Sequence, residues 1–165
     1  MLPGVSDFVF SVVPVDVEWQ PDPETGRRAA DLVVSMTLAP GDGGWHEAKW
    51  HEEVALVDCG ENLERIGCPQ CGSEIDMQLW GDLMEEWFTA GQGFVNRLVT
   101  VPCCGADTAL EFLDYDWPVA FARFEIAVWN PSKTFHTGDG RLTADQVSAV
   151  EGTLGRRIRQ VRAHY

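Results

Sequence analysis

Two close pairs of cysteines constrain the fold of this chain more than any other feature. Cys68 and Cys71 lie in the stretch GCPQCG, whereas Cys103 and Cys104 are adjacent in TVPCCGADT. The C-x-x-C spacing places two thiolates on one turn, where both can bind the same metal ion. A single four-cysteine site would require the chain between the two pairs to fold back on itself.

The adjacent pair is compatible with a shared site only if the strand ends there. Neighbouring side chains of an extended strand point to opposite faces, so the two thiols could not reach one ion from a continuous strand. Pro102 and Gly105 flank Cys103 and Cys104 and favour a turn. A disulfide between the adjacent cysteines is the alternative, but consecutive Cα atoms lie about 3.8 Å apart, below the usual disulfide range. We therefore expect each pair at the tip of its own hairpin, with all four thiols in one structural site.

The segment over residues 66–112 resembles a zinc ribbon, in which two cysteine-bearing turns at hairpin tips hold a tetrahedral metal ion. CPQCG matches the family's C-P-x-C-G turn, whereas VPCCG replaces the usual C-x-x-C of the second turn. Together with YDWPVAFARF, these stretches are similar to a group of small bacterial zinc-ribbon-containing proteins of uncharacterised function. The resemblance implies a zinc ion bound by Cys68, Cys71, Cys103 and Cys104, and it implies no activity.

The expected metal is Zn²⁺ in a structural role. Tetrahedral thiolate sites take zinc or iron, and the cytosol supplies zinc readily. Rubredoxin-like iron is the alternative, although rubredoxins use two spaced C-x-x-C-G turns. Four cysteine ligands leave no open position for water, so the metal is expected to be structural rather than catalytic.

Cys59 is the odd cysteine of the five. It lies nine residues before Cys68 and has no partner at a chelating spacing. We therefore expect a free, partly buried thiol. A redox or nucleophilic role would require a lowered pKa of this thiol.

The cysteine usage also indicates the compartment. An odd number of cysteines with a C-P-x-C-G turn is typical of metal binding under reducing conditions rather than of a disulfide framework. The N-terminus lacks a basic region, and no uninterrupted apolar stretch reaches membrane-spanning length. We expect a soluble cytoplasmic protein that does not enter a membrane.

Residue patterns predict an α+β fold in one domain, 1–165. It would consist of a mainly antiparallel sheet with a C-terminal helix and an inserted zinc-ribbon subdomain over 62–112. Runs rich in Val and Phe, bounded by Pro and Gly, predict strands at 7–19, 30–40, 96–101 and 119–129. A short amphipathic helix is predicted over 79–91, where Gly91 would end it.

The last helix is predicted from a capping box and from apolar periodicity. Thr143 and Gln146 form the box. Apolar residues then recur at three- and four-residue steps, namely Val147, Val150, Leu154, Ile158 and Val161. The opposite face of this helix would carry Arg156, Arg159 and Arg162.

The chain has a formal net charge of −14, and its charged residues are unevenly distributed along the sequence. Residues 141–165 contain five Arg against two acidic residues and carry +3, so residues 1–140 carry −17. The acidic body repels phosphate backbones and disfavours nonspecific nucleic-acid binding, and it favours a protein partner with a basic surface. The alternative is that the acidity serves solubility alone. No feature of the sequence specifies an oligomeric state.

Two groups of ionisable residues are candidates for catalysis. WHEAKWHEE suggests the H-E-x-x-H helix of metalloproteases, but its His46 and His51 are five residues apart. That spacing separates them by about 140° on a helix and places them on opposite faces of a strand. Asp114 and Asp116 in LDYDWP could form a carboxylate pair, but Asp with Pro in this arrangement is typical of a turn. A cavity that joins one of these histidines to one of these aspartates would favour an enzyme.

We expect a non-enzymatic, zinc-stabilised and acidic protein-interaction module, such as an adaptor, an inhibitor or an immunity-type protein. The second hypothesis is a hydrolase or transferase that uses the His and Asp residues near 46–51 and 114–116. The third is a nucleic-acid-binding zinc ribbon that acts through the terminal arginine helix. In the interaction hypothesis Trp45 and Trp50 supply the anchors, although at least one of them is expected to pack in the core.

Overall fold

The computed structural model describes residues 7–41, 43–88, 93–94, 96–132 and 140–165. Its helices are α1 (Pro23–Thr37), α2 (Met77–Trp87) and α3 (Ala144–Leu154). The strands are β1 (Phe8–Pro14), β2 (Trp45–Val57), β3 (Ile66–Gly67), β4 (Glu74–Ile75), β5 (Leu98–Thr100), β6 (Asp107–Ala109), β7 (Asp114–Tyr115), β8 (Ala120–Trp129) and β9 (Ile158–His164). The predicted α+β class is confirmed. None of the described helices combines the length and the apolar character that crossing a membrane requires.

Four strands form the central sheet in the order β2-β8-β1-β9, and every neighbouring pair is antiparallel. β8 lies inside the sheet, where nearly all of its residues are buried, because its run of apolar side chains can be covered on both faces. This strand agrees with the one predicted over 119–129. β2 lies at an edge, and its register against β8 shifts between Trp50 and Ala55.

Helix α1 replaces the strand that was predicted over 30–40. Asp22 caps the helix by accepting a hydrogen bond from the Thr25 N–H at 2.9 Å, and Pro23 occupies the first turn. The buried positions follow a helical spacing: Gly26, Ala29, Ala30, Val33 and Thr37. The strand prediction was wrong because it was based on the Val-rich run alone. The residues that signal the start of a helix, Asp22 and Pro23, lie in the stretch before that run.

The last predicted helix is also shorter than expected, since it ends at Leu154. The capping box of Thr143 and Gln146 is present, but Gly155 adopts a left-handed conformation with φ 72° and ends the helix. The chain then forms β9, which pairs along the whole of β1. The prediction of a helix through Ile158 and Val161 was therefore wrong, because those residues belong to a strand.

The two faces of the central sheet are covered differently. Helices α1 and α3 pack on one face, in a cluster that includes Phe124 and Val150. On the opposite face, Phe121 packs against the described part of residues 62–115, which we call the cysteine lobe. A separate small cluster lies on the remainder of that face, namely Val9, Ala127 and Ala163.

Candidate metal centre

The cysteine lobe presents its four thiols from two short hairpins. β3 and β4 flank the turn that carries Cys68 and Cys71, and β5 and β6 flank the turn that carries Cys103 and Cys104. Helix α2 lies between the hairpins in sequence, and its N-terminal N–H groups are capped by Asp76. The helix predicted over 79–91 overlaps α2, which begins at Met77 and ends at Trp87, whereas its predicted end at Gly91 lies outside the described residues.

The four thiols converge on a common centre. All four Sγ atoms lie within 4.8 Å of one another. The Cys71 and Cys103 sulfurs are 3.4 Å apart, and the Cys68 and Cys104 sulfurs are 3.8 Å apart. A tetrahedral ion with Zn–S bonds of about 2.3 Å requires sulfurs about 3.8 Å apart. The group fits such an ion, so these residues could hold a metal.

The two cysteine-bearing turns share one backbone hydrogen-bond pattern. The Cys68 N–H donates to the carbonyl five residues later at 2.8 Å, and the Gly72 N–H donates back to the Cys68 carbonyl at 3.0 Å. In the second turn Val101 takes the place of Cys68 and Gly105 that of Gly72, with both bonds at 2.9 Å. Both glycines have a positive φ, which closes the turn without a Cβ clash.

This correspondence explains how adjacent cysteines reach one centre. Val101 is the positional equivalent of Cys68, and Cys104 is the equivalent of Cys71. Cys103 therefore occupies the position that Gln70 holds in the first turn. The turn around Cys103 thus has its first thiol two positions later than the turn around Cys68. Val101, a buried residue with 1% exposure, occupies the position of the missing cysteine.

Hydrogen bonding makes the four thiols unequal. Hydrogen bonds from Ser73 lower the pKa of Cys71 to about 6. The neighbouring thiols, of which Cys71 has the largest effect, raise the pKa of Cys103 to about 12. The Cys68 sulfur also accepts the Gln70 N–H at 3.4 Å. Four thiolates repel one another in the absence of a cation, so a divalent ion bound here would displace the remaining thiol protons.

Cys59 lies outside the group of four thiols. Cys59 is buried, with 1% of its surface exposed, and this burial raises the pKa of its thiol to about 11. The residue is thus buried rather than partly buried as predicted, and no disulfide involves its sulfur among the described residues. The protonated and enclosed sulfur is a poor nucleophile, because the thiolate is the reactive form.

The candidate catalytic residues lie in different places. His46 and His51 are both on β2, where His46 pairs with Val128 on the helix-covered side. His51 and Asp114 line two separate cavities. The Oδ1 atom of Asp116 accepts a hydrogen bond of 3.2 Å from one backbone N–H in the loop that precedes β3. This carboxylate therefore has a structural role. Within the described residues, the structure does not join these side chains in one pocket.

A buried carboxylate, Glu125, is the polar feature that sequence reasoning missed. It lies on β8 among apolar neighbours with 8% exposure. Burial raises its pKa, but His51, the Ser11 hydroxyl and the Lys49 ammonium together outweigh that effect and hold the pKa below its ordinary value. The only sequence signal was an acidic residue at an inward position of a central strand.

In comparisons with known proteins, no family model, curated protein or solved structure matches this chain. The chemistry of the site is therefore inferred from its geometry, above all from the convergence of four thiols that two matched turns supply.

Proposed function

We propose that this chain is a non-enzymatic protein-interaction module, that its cysteine lobe is a zinc ribbon, and that its partner is a protein with a basic surface. The observation that carries the proposal is the four-thiol centre at the tips of two hairpins. A tetrahedral ion held by four cysteines has no free position for water or substrate. Such a centre stabilises a surface rather than performing a reaction.

Zinc is the metal we propose for this centre. Thiolate groups at tetrahedral spacing suit zinc and iron alike, and zinc is the commoner occupant of sites that have no redox role. The strands of the cysteine lobe are only two or three residues long. Elements of this length bury little apolar surface by themselves, so metal binding would supply part of their folding free energy.

Charge and one exposed aromatic residue support the partner proposal. Residues 1–140 carry a net charge of −17, which attracts basic surfaces and accelerates association. Trp45 is 50% exposed and stacks on Trp129 with 5.0 Å between the ring centroids. Trp50 instead packs on Phe124 and donates its indole N–H to the Pro21 carbonyl at 3.0 Å. Trp45 is therefore the better candidate for an interface anchor.

The arginines near the C-terminus do not form the basic helix that the nucleic-acid hypothesis requires. Arg156 lies over the ring of Trp19 at 5.1 Å, and Arg162 lies over the ring of Trp117 at 4.6 Å. These cation–π contacts occupy the two guanidinium groups within the chain itself. This arrangement supports a protein partner over a nucleic acid.

Metal content and lobe order test the structural role of the centre. Each single Ser substitution of Cys68, Cys71, Cys103 or Cys104 is expected to reduce bound zinc in elemental analysis and to broaden the lobe's amide signals in NMR spectra. Cys59→Ser is the matched control, because that thiol lies outside the group and the variant is expected to keep its zinc. Wild-type protein that purifies without metal and is equally stable would contradict the proposal.

Salt dependence tests the partner proposal. A partner captured from cell extract counts only after it has been purified, shown to be basic and bound again in isolation. Its association rate is expected to fall as ionic strength rises, because exposed charges are screened. Trp45→Ala is expected to speed dissociation while leaving the unfolding transition unchanged. An acidic partner, or binding that is indifferent to both changes, would contradict the proposal.

A further inference from the structure

The half of the central sheet that neither the described helices nor the cysteine lobe covers holds a small cavity with an acidic lining. Its volume is about 340 Å³, at the lower end of the range for ligand pockets. Among the described lining residues, Asp7, Asp58 and Glu125 supply three carboxylates, and Lys49 supplies one cation. The lining therefore has a formal charge of −2 and would attract a cation rather than an anion.

Glu125 offers one oxygen to a new donor. Its Oε1 accepts the Ser11 hydroxyl at 2.8 Å. The Lys49 Nζ and the His51 Nε2 lie 3.9 and 4.0 Å from Oε2, beyond hydrogen-bond distance. The His51 Nε2 is itself buried and without a hydrogen-bond partner in the described structure. Oε2 therefore lies among polar groups that are not all hydrogen-bonded. A buried polar group without a hydrogen-bond partner destabilises the fold.

The arrangement selects among cationic side chains. A guanidinium group gains most from two parallel bonds to both oxygens of a carboxylate. Oε1 of Glu125 already accepts the Ser11 hydroxyl, so a guanidinium group that bonded to both oxygens would have to share Oε1 with Ser11. An ammonium group acts as a point charge and needs no second oxygen. Apolar residues of the lining, such as Val9, would contact the methylene stem of the same side chain.

We propose that this cavity receives a lysine side chain of the partner protein, with the ammonium group on Oε2 of Glu125. The inference depends on the proposed function and names the part of the partner that this surface binds. Trp45 supports the location, because it stacks on Trp129, a residue that lines the cavity. Tryptophan is enriched among the residues that carry most of the binding energy at interfaces.

The test uses the full chain and a capped Gly-Lys-Gly peptide as the probe. Binding is followed by the indole N–H signal of Trp129 in NMR titrations, because that ring lines the cavity. The same peptide with norleucine in place of lysine keeps the stem and lacks the ammonium group. We expect the lysine peptide to bind about tenfold or more tightly than the norleucine peptide, as one charge-assisted hydrogen bond allows. An arginine peptide is expected to bind more weakly than the lysine peptide.

Two substitutions of opposite effect sharpen the test. Glu125→Gln is expected to weaken lysine-peptide binding by about tenfold or more. Lys49→Met is expected to strengthen it, because the resident ammonium group no longer competes for Oε2. Glu24→Gln is the matched control, because it also replaces a carboxylate by an amide. Glu24 is exposed on α1, on the opposite side of the sheet from the cavity. The control should bind like the wild type.

Equal binding of the lysine and norleucine peptides would overturn the inference, even if Glu125→Gln failed to fold. So would a lysine peptide that binds without perturbing Trp129, or a Lys49→Met variant that binds more weakly. If a purified basic partner binds with the expected salt dependence while Glu125→Gln has no effect, the cavity inference fails and the proposed function stands. If the lysine peptide binds here but basic proteins do not, the proposed function fails and the cavity remains an amine site.

Discussion

Moving one ligand within the second cysteine turn tests the matched geometry of the two turns. Val101 occupies the position of Cys68, and Cys103 occupies that of Gln70, as the shared backbone hydrogen bonds indicate. The double substitution Val101→Cys with Cys103→Gln would therefore convert VPCCG into a second CPQCG turn. Val101 and Cys68 are 1% and 3% exposed, so both side chains point into the same kind of enclosed environment.

The expected magnitude follows from the number of ligands. Structural zinc sites contribute about 10–16 kcal/mol in total, so each of four thiolates accounts for about 3 kcal/mol, or roughly a hundredfold in metal affinity. Cys103→Gln alone should lose about that factor. The double variant should return to within about tenfold of the wild type, because the new thiol lies where the first turn already places one.

Competition with a chromophoric zinc chelator measures these affinities directly. Circular dichroism of each variant controls for unfolding, and Val101→Cys alone controls for the added thiol. A double variant that binds zinc no more tightly than Cys103→Gln would refute the equivalence of the two turns.

Three further predictions concern stability. Phe121→Ala should lower the free energy of unfolding in urea by about 3–5 kcal/mol, because its ring is buried between the central sheet and the cysteine lobe and its loss leaves a cavity. Gly26→Ala should lower the free energy of unfolding by about 1–3 kcal/mol, since the new Cβ would overlap Cζ2 of Trp50. Gly152→Ala, with open space around it in a helix, should be neutral or stabilising. The pKa of Glu125 is held below its ordinary 4.5, so the stability of the wild type relative to Glu125→Gln should be constant well above pH 4.5. The wild type should lose stability relative to the variant as the pH falls through 4.5 towards the lower native pKa.

The parts of the structure that could be predicted are those with a local signal. The strand over 119–129 has an unbroken apolar run, and such a run is covered on both faces inside a sheet. The cysteine pairs carry their chemistry in their spacing, so their convergence on one centre follows from a residue pattern. In both cases the sequence contains the reason for the structure.

The errors came from signals that compete or act over long distances. The residues of α1 include a Val-rich run that also suits a strand, and the cap that decides between the two lies outside it, at Asp22. Ile158 and Val161 continue a helical period, but the left-handed Gly155 interrupts it, and pairing with β1 then favours a strand. The surroundings of Glu125 come from three strands, so no local window contains them.

Zinc K-edge X-ray absorption of the protein as purified is the most direct test of the four-cysteine centre. We expect one zinc per chain with four sulfur neighbours at about 2.3 Å. Cys59→Ser should give the same spectrum, because its sulfur lies outside the group of four. A spectrum dominated by oxygen or nitrogen neighbours, or a folded protein that contains no metal, would contradict a zinc centre held by these four cysteines.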